Sequence, residues 1–266
     1  MPRSNIRVIG DDSSDRSHII RELGLSSRIV DGVGRLEAAI LPTMHVPGTT
    51  NLRASILATF ADVACGHLAM RALVPRVPVT LELDLHLHRP PADLTVLHAV
   101  SHTAKAGRSV GVFTVDFSDE RGEPVAVANA SFMAAPDPSV RIEPELAAGD
   151  MMLRTDGPRL EVPFVERAHC RRLGPGVATL PTTEEGLNAS NTLNGGLIAL
   201  VIEEAALSLA PGSTLASMAL RYVRPVRVGP AVASATLSGG LGRVEVRDAG
   251  REDRLSVVAT VRTFPP

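Results

Sequence analysis

The sequence predicts an α+β protein made of two tandem copies of one unit, each an antiparallel sheet wrapped around a long apolar helix. Three observations carry this. The same order of signals occurs twice, about half a chain apart. Each copy contains a helical stretch that is apolar nearly all round, which belongs inside a sheet rather than on a surface. Strand-like segments follow each helix, and the first alternates with a period of two.

In the first copy RLEAAILP (35–42) reads as a strand and LRASILATFADVACGHLAM (52–70) as the helix. In the second, GVATLPTT (176–183) and GGLIALVIEEAALSLA (195–210) repeat that order. PVTLELDLHLH (78–88) alternates, with Val79, Leu81, Leu83, Leu85 and Leu87 on one face and Thr80, Glu82, Asp84, His86 and His88 on the other. It stops at Arg89-Pro90-Pro91, as ASMALRYVRP (216–225) stops at Arg224-Pro225, because proline cannot donate to a ladder. Gly107-Arg108-Ser109 and Gly242-Arg243 then open two-stranded tails, with turns at Asp119–Gly122 and Asp248–Gly250. Corresponding residues are offset by 141 (Asp62 and Glu203), 135 (Arg89 and Arg224) and 132 (Phe132 and Phe264), a drift of loop-sized deletions. The first copy with its N-terminal extension spans 1–135, a Pro-rich and charged linker spans 136–162, and the second copy spans 163–266. A short helix near Ser17 to Leu23, stopped by Gly24, leads the chain.

Composition excludes several classes of function. With 44% apolar and 21% charged residues, the 266-residue chain has ample material for a core. A net charge of −2 and 3% aromatic residues give neither the basic field nor the stacking platforms that nucleic acid requires. The first thirty residues lack a signal-peptide stretch, and the longest apolar runs carry Asp62 or Glu203 and Glu204, so no membrane span and a cytoplasmic location are expected. Cys65 and Cys170 read as reduced thiols. His86, His88, His98 and His102 come with no carboxylate or thiol signature, so no metal site is expected. No Gly-x-Ser-x-Gly elbow, Walker loop or dinucleotide pattern is present.

An acid inside an apolar helix is costly unless it is paired, neutralised or used, which singles out Asp62 and the pair Glu203 and Glu204. Adjacent helical residues point about 100° apart, so one of the two glutamates is expected to face inward.

In the second copy, Asn188-x5-Asn194-Gly195-Gly196-x6-Glu203 resembles the Asn-x5-His-Gly-Gly-x6-Asp/Glu signature of hotdog acyl-CoA thioesterases of the phenylacetate-pathway (PaaI-like) type. The Arg-Pro strand ends, the Gly-Arg-Ser strand start and the Ala-rich strand ending in Phe are similar to that family as well. The resemblance implies a tandem double hotdog that hydrolyses an acyl-CoA, needing no cofactor beyond the coenzyme A of its substrate. In such proteins the helix acid of one unit activates water or attacks the carbonyl, while Asn, His and a Gly amide at the other unit's helix start polarise that carbonyl. A helix start offers unpaired N–H donors where an oxyanion develops.

Carried over by position, the resemblance implies an asymmetric pair of sites. Asp62 faces Asn188, Asn194 and Gly195, with Asn in place of His at 194 and the adjacent Gly196 as a substrate-binding candidate. Thr80 falls where the family places a hydroxyl that orients water or substrate. Glu203 faces Pro47, Arg53 and Ala54, where Asn, His and Gly are all missing, so that site is degenerate. Arg53 is a candidate for a coenzyme A phosphate or for a pair with Glu203; Arg89 and Arg108, flanked by Gly107 and Ser109, are further phosphate candidates. Two other functions stay open: a module that binds acyl-CoA without cleaving it, and a hotdog enoyl-CoA hydratase. The latter needs an Asp and His pair near one helix start, which His45 and His67 do not supply. An exposed, partly apolar strand face leaves room for a homodimer of chains.

Overall fold

The computed structural model describes residues 18–137, 139, 141–142, 152–153, 159–188 and 190–265. The leading helix α1 (Ile19–Glu22) starts at His18, whose ring accepts the Ile20 amide, and Gly24 at φ 68° ends it. The hairpin β1 (Ser26–Val30) and β2 (Val33–Ala39) turns at Asp31-Gly32, both left-handed at φ 51° and 77°, the conformation that a two-residue hairpin turn needs. Then come α2 (Ala54–Leu73), β3 (Pro78–Leu87), β4 (Val96–Ala106), β5 (Val110–Asp119) and β6 (Pro124–Ala134). The second copy repeats this with a short α3 (Phe164–Arg167), β8 (Arg171–Gly174), β9 (Val177–Leu180), α4 (Gly195–Leu207), β10 (Leu215–Tyr222), β11 (Ala231–Ser238), β12 (Leu241–Asp248) and β13 (Arg254–Thr263). Between them, β7 (Met152–Leu153) pairs with β1, so part of the segment read as a linker returns to the first copy's edge; much of that segment lies outside the described residues.

The thirteen strands among the described residues form one antiparallel sheet in the order β7-β1-β2-β4-β5-β6-β3-β10-β13-β12-β11-β9-β8. Apart from β7, which has no counterpart, the order mirrors itself about the β3–β10 pair. Asp84 lies opposite Ala219, Leu83 opposite Leu220 and Leu85 opposite Met218, the register that a 135-residue offset produces around a two-fold axis. The two helices lie side by side within the curl of the sheet and bury Phe60, Ile56, Leu57 and the run Ala199–Ile202 completely. Around α2 the ring of Phe113 meets Phe132 edge-on at 5.9 Å, an arrangement aromatic pairs favour.

Three expectations need correction. Two strands precede each helix rather than one; the signals were the Asp31-Gly32 and Gly174-Pro175-Gly176 turns. The second helix ends at Leu207 rather than 210. The strict alternation of β3 breaks at a bulge between Thr80 and Glu82, which turns Thr80 toward α2 and away from the Glu82 face. β10 bulges at the equivalent place, between Leu215 and Ser217. Helix α2 is long and apolar enough to cross a membrane by length and composition, yet 61% of its most apolar window is buried inside the protein.

Candidate active site

The two helices approach closely because α4 begins with glycines. A Cβ at Gly196 would come within 2.8 Å of Cβ and Cγ2 of Thr59 on α2, so only glycine fits there. A Cβ at Gly195 would lie 3.3 Å from Oδ2 of Asp62 and 3.1 Å from the Tyr222 hydroxyl. Asp62 of the first copy therefore stands at the N-terminal end of the second copy's helix. Thr80, aimed inward by the bulge, donates its hydroxyl to Oδ1 of Asp62 at 2.8 Å.

The side chain of Asp62 is half-buried. Loss of hydration pushes its carboxyl up to about 6, and the Thr80 hydrogen bond only partly offsets this. Tyr222 donates weakly to the Gly195 carbonyl at 3.3 Å. Burial, reinforced by the Asp62 charge, holds its phenol well above the usual range and keeps it a donor. Sequence reasoning missed Tyr222. Its signal was slight: it is the only tyrosine in the chain and lies two residues before Arg224-Pro225.

Asn194 is the N-cap of α4. Its side-chain oxygen accepts the Gly196 amide at 2.8 Å, which commits the oxygen to the helix and leaves the NH₂ as a donor. Gly195, the first helical residue, has no place for its amide in the helix ladder. Asn188 organises the loop leading to it, its oxygen accepting Ser190 N at 3.0 Å, Thr192 N at 3.2 Å and Thr192 Oγ1 at 3.0 Å. The structure thus brings Asp62, Thr80, Asn194 and Gly195 together and gives the Asn188 oxygen a loop-building role.

The pseudo-symmetric arrangement around Glu203 is closed. Glu203 is fully buried; its Oε1 accepts the Ala54 amide at 2.8 Å, and its Oε2 accepts Ser55 Oγ at 2.6 Å and Arg53 Nη1 at 3.2 Å. Arg53, also fully buried, bonds Glu204 at 2.7 Å, and Glu204 reaches outward to Arg172 at 2.7 Å. Both glutamates are therefore buried, against the expectation that one would face inward. Desolvation alone would lower the Arg53 pKa, but Glu203 and Glu204 outweigh it and hold the guanidinium charged. Of the two roles expected for Arg53, the pair with Glu203 is the one formed, and contact with a substrate phosphate is precluded by burial. Leu215 occupies the position of Thr80. Pro47 lines a separate cleft of about 310 Å³ with His45, Val46 and Pro163.

The remaining candidates lie at the periphery. Arg89 is bound by Asp119 at 2.6 Å. Gly107, Arg108 and Ser109 form the β4–β5 hairpin tip, where Ser109 O accepts Ala134 N at 3.0 Å, two strands from the start of β3. His67 bonds Ser27 at 3.1 Å, and burial pushes it down to about 4. Cys65 and Cys170 are free buried thiols, both pushed upward by burial, Cys170 to about 12. Among the described residues no group of three His, Cys, Asp or Glu gathers at a metal-binding distance.

Residues 54–126 match the family model of the Thioesterase superfamily. No curated protein sequence matches significantly. Among solved structures, the chain is similar to a 12:0-ACP thioesterase from Umbellularia californica, at 15% identity and a TM-score of 0.63, covering 90% of this chain and 99% of that one. It is similar to an acyl-ACP thioesterase from Bacteroides thetaiotaomicron at 14% identity and a TM-score of 0.60, covering 88% and 98%. It also resembles a hotdog-fold protein of unknown function from Alicyclobacillus acidocaldarius, at 16% identity and a TM-score of 0.59, covering 94% and 99%. The chain has the tandem double-hotdog fold, and residues 54–126 within its first copy match the model of the Thioesterase superfamily.

Proposed function

We propose that this protein hydrolyses the thioester of an acyl-CoA at one composite site per chain, between Asp62 of the first copy and the start of α4 in the second. The observation that carries the reading is the contrast between the two acids. Asp62 is half-buried, with its carboxyl raised toward neutrality, while Glu203 is sealed in a network of donors. A carboxylate with a pKa near 6 is charged at pH 7 and still basic enough to take a proton from water. The carbonyl oxygen would point at the Gly195 amide and the Asn194 NH₂, where the N-terminal field of α4 favours the developing negative charge. Thr80 holds Asp62 in place.

The test is thiol release from a panel of short, aromatic and long acyl-CoAs. Hydrolysis of at least one is expected, with Asp62→Asn lowering kcat by at least about 10²-fold. Full activity in that variant on every substrate the wild type cleaves would remove the assignment. A panel member on an acyl carrier protein belongs in the screen, because two of the similar structures are named acyl-ACP thioesterases. A second reading is favoured by Asn194, which offers no acidic proton at that position: a module that binds acyl-CoA and does not cleave it. Tight binding without thiol release would select it.

A further inference from the structure

The N-terminal extension of the first copy reaches the second copy's half of the site. Helix α1 lies against the 3₁₀ turn Glu184–Gly186 and buries Ile19, Ile20 and Leu23. Its cap, His18, carries two bonds on one ring. The Ile20 amide donates to Nδ1 at 3.1 Å, which leaves the ring proton on Nε2, and Nε2 donates it to the Leu187 carbonyl at 2.8 Å, 169 residues away. Burial lowers the His18 pKa, so the ring keeps this neutral form at pH 7. At the other end of α1, Glu22 accepts Nε and Nη2 of Arg167 at 2.8 and 2.6 Å, and Nη1 of Arg167 holds Glu185 at 2.8 Å.

Leu187 sits at the base of the loop that ends in Asn194. Its neighbour Gly186 accepts the Asn194 amide at 2.9 Å, its other neighbour Asn188 folds the loop, and Leu187 itself bridges to Leu193. The other half of the molecule lacks the tie. Helix α3 matches α1 there, and the 3₁₀ turn Pro42–Met44 matches Glu184–Gly186, each turn being followed by one bridge, His45 to Leu52 and Leu187 to Leu193. His18 and Leu187 therefore correspond to Pro163 and His45. Pro163 makes no cap bond and has no side-chain donor. His45 Nε2 is buried without a partner among the described residues, and both residues line the cleft of about 310 Å³. The tie thus occurs on the side of the open acid and is missing on the side of the sealed one.

We propose that His18 is a positioning residue of the Asp62 site: through Leu187 it braces the loop that presents the Asn194 NH₂ and the Gly195 amide to the carbonyl. The proposal rests on the hydrolytic reading of that site. The first copy then supplies both the acid, from α2, and the brace for the second copy's donors, from its N-terminal extension. Glu203 bonds the Ala54 amide directly, so the sealed side holds its helix start without such a brace. Without the tie, Leu187 keeps its bridge to Leu193, so the loop loosens rather than unfolds. Loosening costs most in the transition state, where the donors must meet a developing charge at a fixed distance.

Two substitutions separate the two bonds of the ring. The side-chain oxygen of asparagine takes the place of Nδ1 and caps α1, while its NH₂ falls short of Leu187; the NH₂ of glutamine reaches about as far as Nε2. In His18→Asn the amide protons of Asn188, Leu193 and Asn194 are expected to exchange at least about fivefold faster, and kcat to fall at least about fivefold with KM kept. His18→Gln, although it caps α1 less well, should return both readouts to within about twofold of the wild type. Unchanged exchange or unchanged kcat in His18→Asn, or equal losses in the two variants, would overturn the proposal. So would faster exchange of the β3–β10 ladder to the same degree, since the effect would then be one of general stability. If the wild type releases no thiol from any thioester offered, the hydrolytic reading fails on its own and exchange decides alone: a contrast between the variants supports the brace, and its absence refutes it.

Discussion

The carboxylate of Glu203 accepts the amide of Ala54 at 2.8 Å, at the start of the opposing helix. Asp62, its counterpart, is one methylene shorter and stands over Gly195 with no hydrogen bond to it among the described residues. That difference in reach decides what each acid does. Glu203 occupies the helix start itself, filling the place where a carbonyl oxygen would bind. Asp62 leaves that end of α4 free, with its own hydration partly removed and a single hydroxyl to hold it.

The closed side has a structural role that stability measurements can read. Arg53 bridges Glu203 and Glu204 with no solvent access, and removing one partner of a buried pair leaves charge uncompensated. Arg53→Met is expected to cost about 3–5 kcal/mol. Arg53→Met combined with Glu203→Gln should recover part of that loss, because fewer unpaired charges remain. Denaturant midpoints of the two variants check this; equal losses would show that the network carries no coupling.

Gly196 tests the close approach of the helices. Adding a Cβ there collides with Thr59, a residue packed in the core, so Gly196→Ala should destabilise by about 1–3 kcal/mol. Thr59→Ala in the same chain removes Oγ1 and Cγ2 and leaves Cβ, at 2.8 Å, as the one remaining close contact. Thermal melts of the double variant should return toward the wild type, and a purely backbone cause would leave it as unstable as Gly196→Ala.

Much of this arrangement was legible in the sequence, for physical reasons that differ by element. The duplication follows from the repeated helix and strand-end signals, and the offset at Arg89 and Arg224 matches the β3–β10 register, while the mirror order of the strands emerges only in the structure. Asp62 stood out because a carboxylate inside an apolar helix is costly. The direction of Thr80 was hidden, since the bulge at Leu81 depends on pairing with β6 and leaves the alternation of the sequence intact. Burial of Glu204 was hidden too: its partners Arg53 and Arg172 lie 151 and 32 residues away. Tyr222 acquires its place only when β10 crosses the start of α4.

Asn194 separates capping from chemistry. Asp caps a helix as well as Asn does, but Asn194→Asp deletes the NH₂ donor and sets a second carboxylate near Asp62. The variant should melt within a few degrees of the wild type while losing about 10²-fold in kcat. Asn194→Ala should lose about 1 kcal/mol of stability as well. Wild-type turnover in a well-folded Asn194→Asp protein would exclude this side chain from polarising the carbonyl.

The ionisation of Asp62 should set activity and stability against each other. The base works only when deprotonated, so kcat/KM is expected to fall as pH drops through about 6, and Thr80→Val, which removes a bond favouring the charged form, should move that limb to higher pH. Stability follows the opposite course. The folded protein raises this carboxyl from 3.8 to about 6, so it binds the proton more tightly than the unfolded chain does. The contribution is fully present below about pH 4 and is lost as pH climbs through 6, at a cost on the order of 3 kcal/mol. Asp62→Asn has no such ionisation and can keep the Thr80 hydrogen bond. Its Tm should therefore exceed that of the wild type at pH 8, with the gap closing toward pH 4. A gap that does not change with pH would mean that burial does not tune this acid, and the site would lose its base.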